Sequence, residues 1–130
     1  MDLFVHTPMT AERLIDLYQC GQRDFQHIDV PEGSSFRGVN LSDANFKESF
    51  LSDIDFQDAQ LRNVCFDNAN VKVSDFRGSD LTGASFRGSA ICSALFNNAK
   101  MDGVIVENAD WYGFKVDSVE TMIEISLARG

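Results

Sequence analysis

The stretch Phe76–Gly88, FRGSDLTGASFRG, says Phe-Arg-Gly twice, ten residues apart, with Leu81 at the midpoint. Counting outward in fives gives Phe36, Leu41, Phe46, Leu51, Phe56, Leu61, Phe66, Val71, Phe76, Leu81, Phe86, Ile91, Phe96, Met101, Val106 and Trp111, all apolar. With 44% hydrophobic residues in the chain, such a run arises by chance about twice in a million tries, so an internal repeat is the first feature to explain. Two residues before each centre, from Ser34 through Ala44 and Ala84 to Ala109, stands Ala, Ser or Val, with Ile54 the largest. Each unit therefore offers one large and one small inward residue.

Five residues turn an α-helix by about 500°, so these centres would walk round the cylinder and make no stripe. In a flat strand an odd spacing sends successive centres to opposite faces. Only a chain that turns a corner in every unit keeps them all inside. The turn is written two residues after each centre, where Gly38, Gly78, Gly83, Gly88, Gly103 and Gly113, then Asn63, Asn68, Asn98 and Asn108, then Asp43, Asp53 and Asp58 stand. These residue types best tolerate the positive φ of the third position of a type II turn. The chain is a β-solenoid.

The number of sides follows from the alternation of Phe and Leu. Three sides would stack Phe on Leu. Four sides, at 20 residues per coil, stack like on like: Phe36, Phe56, Phe76 and Phe96 in one column, Leu41, Leu61, Leu81 and Met101 in the next, Phe46, Phe66, Phe86 and Val106 in the third. Uniform columns pack with fewer voids.

The segments DANF, DAQL, NANV, GSDL and NADW resemble the Ala-(Asp/Asn)-Leu-x-x motif of pentapeptide repeat proteins, and LIDLYQCGQRDF is similar to a lead-in found among them. The resemblance covers residues 13 to 116. It implies an all-β fold, a right-handed quadrilateral β-helix of about four regular coils. It also implies action by binding, as the best understood members act, among them acidic dimers that resemble DNA and engage type II topoisomerases.

Both ends break the five-residue beat, as a solenoid needs if its terminal coils are not to expose core and strand edges. Residues 1–21 read as an N-terminal helical cap, with Thr7 or Thr10 as N-cap, Pro8 as an early helical residue, Leu14, Ile15, Leu17 and Tyr18 as the buried side, and Gly21 as the stop. Residues 22–116 read as the solenoid, in which Phe25 and Val30 begin a beat that slips to six across PEGSS, predicting a bulge or loop there. Residues 117–130 read as a C-terminal capping helix, with Asp117 and Glu120 spaced as a capping box, Val119, Met122, Ile123 and Leu127 on its buried face, and Trp111 and Phe114 beneath it.

At 130 residues the chain has the size of one domain. No apolar run approaches the roughly 20 residues of a membrane span, and no signal peptide is recognisable, so a soluble cytoplasmic protein is expected. Cys20, Cys65 and Cys92 are odd in number and widely spaced, which suits reduced thiols rather than disulfides or zinc. The net charge of −9 argues against direct nucleic-acid or anionic-membrane binding.

Catalysis needs convergent groups, and a regular coil displays parallel ladders instead. His6 and His27 lie outside the regular coils with no partner at a ligand spacing, and GASFRG lacks the second glycine of a nucleophile elbow. Asp55 and Asp75 should stack one coil apart, where a shared proton or cation is conceivable and a solvated ladder is the plain reading. Lys47, Asp67, Arg87 and Glu107 alternate in sign as a surface ion-pair ladder. No enzyme, cofactor or metal is expected.

Departures from the motif point instead to a surface. Phe50, Leu95 and Ile105 occupy outward positions, Val73 replaces a turn residue, and Cys92 and Tyr112 also point out. Phe50, Val73, Cys92 and Tyr112 share one side of the square and form a candidate partner surface; local packing under flanking segments is the alternative. The expected function is a non-catalytic scaffold that binds another protein, with a homodimer through one end or side as a further partner. An acidic DNA mimic acting on a type II topoisomerase such as DNA gyrase is the second reading.

Overall fold

The computed structural model describes residues 5–129. Every one of the sixteen turn positions adopts positive φ, from 55° at Asp53 to 86° at Gly113. At thirteen of the centres the carbonyl accepts the N–H three residues on, as from Ser79 to Phe76 (3.1 Å) and from Ala84 to Leu81 (2.8 Å), which closes a type II turn. Glu48, Val73 and Ser93 obey the same geometry, so the beat overrides residue type. At Gly83 the requirement is doubled, because a Cβ there would also meet Oδ1 of Asn63 from the neighbouring coil.

Between corners the chain is straight for so few residues that each rung is a single parallel bridge. Ser35 pairs with Asp55, Asp55 with Asp75, and Asp75 with Leu95, twenty residues apart each time. Before the PEGSS segment the offset is 21, as in Asp24 with Asn45 and Asp29 with Phe50. The extra residue is absorbed between Pro31 and Ser34, whose N–H and hydroxyl both donate to the Pro31 carbonyl (3.2 and 2.6 Å).

The sixteen centres are buried except Met101 and Trp111, which are half-buried. Phe36, Phe56, Phe76 and Phe96 stack with centroids 5.5, 5.0 and 5.1 Å apart, and Phe46, Phe66 and Phe86 at 5.7 and 5.0 Å. The two ladders meet edge to face, at 5.5 Å for Phe66 and Phe76, the geometry the ring quadrupole favours. Small inward positions that carry Ser stay satisfied: Ser74, fully buried, accepts from the Ile54 N–H (3.0 Å) and donates to the Leu51 carbonyl (2.6 Å).

One side of the coil is longer than the others. Strand β1 (Thr7–Pro8) pairs in parallel with β2 (Ile28–Asp29). Asp29 then bridges to Phe50, Phe50 to Asn70, Asn70 to Ala90, and Ala90 to Asp110, within β3 (Ala109–Trp111). Strand β4 (Phe114–Val116) folds back antiparallel on β3. This face is a sheet of seven rungs, whereas the side of Ser35, Asp55, Asp75 and Leu95 has four.

The ends differ from the sequence reading in detail. Helix α1 (Ala11–Gln19) is capped by Thr10, whose hydroxyl accepts the Arg13 N–H (3.1 Å), and buries Leu14 and Ala11. Pro8 is in β1, not in the helix. Helix α2 (Val119–Arg129) is capped by Ser118, whose Oγ accepts the Thr121 N–H (3.2 Å). Asp117 instead accepts the Asn108 N–H (2.7 Å) and ties the segment to the coil. Among the described side chains of α2, Met122 and Ser126 are buried; Leu127 and Phe114 are exposed. A serine faces inward because the Phe96 N–H, left over at the last coil, donates to its hydroxyl (2.6 Å). Met1–Phe4 and Gly130, parts of the expected terminal caps, lie outside the described residues.

Candidate functional site

The seven-rung face carries the four residues of the candidate surface, and the fold divides them. Phe50 and Tyr112 are separated by three rungs, about 14 Å at the strand spacing. Val73, Ser93 and Tyr112 follow one another down the corner, with a hydrogen bond of 2.6 Å between the Ser93 and Tyr112 hydroxyls. Phe50 stands alone at the other end.

Phe50 is 45% exposed, Val73 55% and Tyr112 58%, whereas Cys92 is buried. The expectation that Cys92 points out to a partner is therefore corrected. Its Sγ is tucked under the next rung, where the Tyr112 N–H donates to it (3.1 Å). It acts as a small hydrophobe that fills a corner. Val73 carries the largest anomaly: a β-branched residue held at φ 65°, a region costly for such side chains. Val73→Gly is expected to raise the unfolding free energy by about 1 kcal/mol, which urea unfolding would measure.

Across the corner, Val73 and Leu95 line a shallow depression with Asp53, Asp55 and Asp75. The Asp75 carboxyl is held below the usual carboxylate range: burial opposes this, but the Arg77 guanidinium and backbone N–H outweigh it. The guanidinium grips it at 2.6 and 2.9 Å. Asp75 is thus an ionised partner of Arg77, with Arg37 on Asp55 at 3.1 Å, and the shared-proton reading of the pair has no support. A lowered folded value adds stability that is fully present above the ordinary Asp range. That stability is lost as pH falls through the folded value. The melting temperature of Asp75→Asn should accordingly lie below wild type at pH 6 and converge on it towards pH 2.

Sequence reasoning missed what covers Phe50. The His6 ring stacks on it, with centroids 3.7 Å apart at 16°. His6 Nε2 lies 2.7 Å from the Glu48 carbonyl, and His27 Nε2 lies 3.3 Å from the Glu48 carboxylate. The two histidines are brought to 6.1 Å by strand β1, which no repeat announces. Among the described residues no three His, Cys, Asp or Glu side chains cluster as a metal site. Burial pushes the Cys65 thiol up, away from an activated nucleophile. Arg87 reaches Glu107 (3.5 Å) and Asp67 (4.0 Å), as the alternating column predicts for those three.

Comparison with known proteins follows the fold. A family profile described as "pentapeptide repeat region" matches residues 32–106. No curated protein matches by sequence. HetL, a protein involved in heterocyst differentiation regulation from the cyanobacterium Nostoc, superposes with a TM-score of 0.68 at 22% identity, over 81% of this chain and 46% of its own. The protein alr5209 of Nostoc gives 0.65 at 21%, over 92% of this chain and 94% of its own. Full-length QnrB1, a plasmid-mediated fluoroquinolone resistance protein, gives 0.64 at 19%, over 68% and 48%. The chain spans about half the length of HetL and of QnrB1. The shared fold is a right-handed β-helix. Among the described residues no helix is long and apolar enough to cross a membrane.

Proposed function

The chain belongs to the pentapeptide-repeat family, and from that premise we propose that it is a non-catalytic cytoplasmic scaffold that docks another protein on its seven-rung face. About four regular coils, closed by α1 and α2, form the rigid support. The observation that carries this reading is Val73, strained in its backbone and 55% exposed. A β-branched side chain there costs stability and returns no core packing, so its use lies outward. Phe50 and Tyr112 flank it as aromatic anchors of the kind that dominate interfaces.

Likeness to a fluoroquinolone resistance protein favours a second reading, a DNA mimic acting on DNA gyrase. The charge pattern opposes it. Duplex DNA carries one charge per about 1.7 Å, so four coils rising about 4.8 Å each would need on the order of ten negative charges. Residues 36–116 hold 8 basic and 11 acidic groups, a net of −3, and Arg37, Arg62, Arg77 and Arg87 are paired with acidic side chains. A gyrase supercoiling assay separates the readings: the scaffold should leave supercoiling unchanged at micromolar concentration, and inhibition would favour the mimic.

A further inference from the structure

The seven-rung sheet is closed at one edge and open at the other. On the β1 edge the Thr7 and Met9 N–H groups point inward, to the His27 and Asp29 carbonyls (2.8 and 2.9 Å). The residue between them that faces outward is Pro8, which has no N–H to offer, so a further strand cannot pair there. The opposite edge is β4. Asp110 directs its backbone to the neighbouring coil, donating to the Ser89 carbonyl (2.8 Å) and accepting from the Ile91 N–H (2.9 Å). Its cross-strand neighbour is Lys115. In an antiparallel ladder directly opposite residues either exchange both hydrogen bonds or both turn their groups away from the shared ladder, and this pair is of the second kind. The Lys115 N–H and C=O are therefore turned out of the sheet, and among the described residues neither has a protein partner. Beside them Phe114 is 67% exposed, although Val116, on the same face of the strand, is buried.

We propose that the open edge of β4 accepts an extended strand from another protein, one with an acidic residue opposite Lys115 and apolar residues on either side of it. The pattern follows from the strand's alternation. The residue opposite Lys115 lies on its face, and its two neighbours lie on the face of Phe114 and Val116. Charge selects the occupant. Two copies of this chain paired antiparallel about a two-fold axis at Lys115 would set Lys115 against Lys115, and like charges directly opposite destabilise a strand pair. A foreign carboxylate in that position is attracted instead. The inference rests on the backbone ladder and not on Phe50, Val73 or Tyr112 side chains, so it stands or falls apart from the docking-face reading.

The test uses the full chain and two capped peptides, Thr-Ser-Val-Glu-Val-Ser-Thr and Thr-Ser-Val-Lys-Val-Ser-Thr, with binding read by fluorescence anisotropy and edge pairing by hydrogen exchange of the Lys115 amide. The Glu peptide should slow that exchange and bind about fivefold more tightly than the Lys peptide. Lys115→Glu should invert the order. Lys115→Pro deletes the outward N–H without touching the bonds between β3 and β4, and should abolish binding of both peptides. The proposal is overturned if neither peptide slows exchange at millimolar concentration, or if folded Lys115→Pro binds as wild type does. It is also overturned if the amide becomes protected with rising protein concentration alone, which would assign the edge to a second copy. Should Lys115→Pro fail to fold, Lys115→Glu decides, and an unchanged preference for the Glu peptide sinks the idea.

Discussion

Replacing Phe66 by alanine is expected to lower the unfolding free energy by about 3 to 5 kcal/mol. Phe66 is fully buried and touches both aromatic ladders. It stacks between Phe46 (5.7 Å) and Phe86 (5.0 Å) and meets Phe56 and Phe76 edge to face at 5.9 and 5.5 Å. The backbone cannot collapse into the vacated space, because adjacent rungs are pinned by hydrogen bonds such as Phe66 N–H to the Ser85 carbonyl (2.7 Å). A cavity that cannot relax falls at the costly end of the range. Since each coil contacts only its neighbours, the loss weakens the interface between coils and should reduce cooperativity as well as stability. Arg62→Ala is the control. Its guanidinium, itself exposed, holds the half-buried Asp80 at 3.2 Å, and a surface pair contributes at most about 1 kcal/mol. Urea titrations of the two variants decide the matter, and equal shifts in midpoint would mean that the inward assignment is wrong.

The repeat made the interior legible because its signal is redundant. Sixteen centres, sixteen small partners and thirteen Gly, Asn or Asp turn residues repeat the same statement, so Glu48, Val73 and Ser93 could depart from the turn code without hiding it. What the beat does not reach was harder to read. Strand β1 holds two residues and has no alternation to reveal it. Pro8 suits a helix start as well as an edge strand. At the other end a signal was present. Tyr112 and Gly113 both have positive φ, 52° and 86°, and two such residues between ADW and FKV make a tight hairpin. The five-residue count takes Gly113 for one more corner, and so conceals the reversal that creates β4. The candidate surface was legible as departures from the motif. Its division was not, because contacts such as His6 on Phe50 and Cys92 under Tyr112 join segments far apart in the chain.

Phe50→Ser and Tyr112→Ser should each weaken binding of a protein partner by about 1 to 3 kcal/mol, the effect of removing an aromatic anchor. The two changes report on different ends of the face. Phe50 is half covered by His6, so a partner that uses it must either pack around the imidazole or displace it. Phe50→Ser then also loosens β1, and a small fall in melting temperature accompanies the loss of affinity. Tyr112 is simpler: its ring is 58% exposed and its hydroxyl is tied to Ser93. Tyr112→Phe keeps the ring and removes the tie, so near-normal binding by Tyr112→Phe with impaired binding by Tyr112→Ser would assign the energy to the aromatic surface. Gln60→Ser, in the polar column of Asn40, Gln60, Asp80 and Lys100, should bind as wild type does. Isothermal titration against a partner purified with the wild-type chain gives the affinities, and melting curves give the structural cost. Unchanged affinity with a lowered melting temperature in both serine variants would show that Phe50 and Tyr112 serve the fold, and the docking face would have to be sought on another side of the coil.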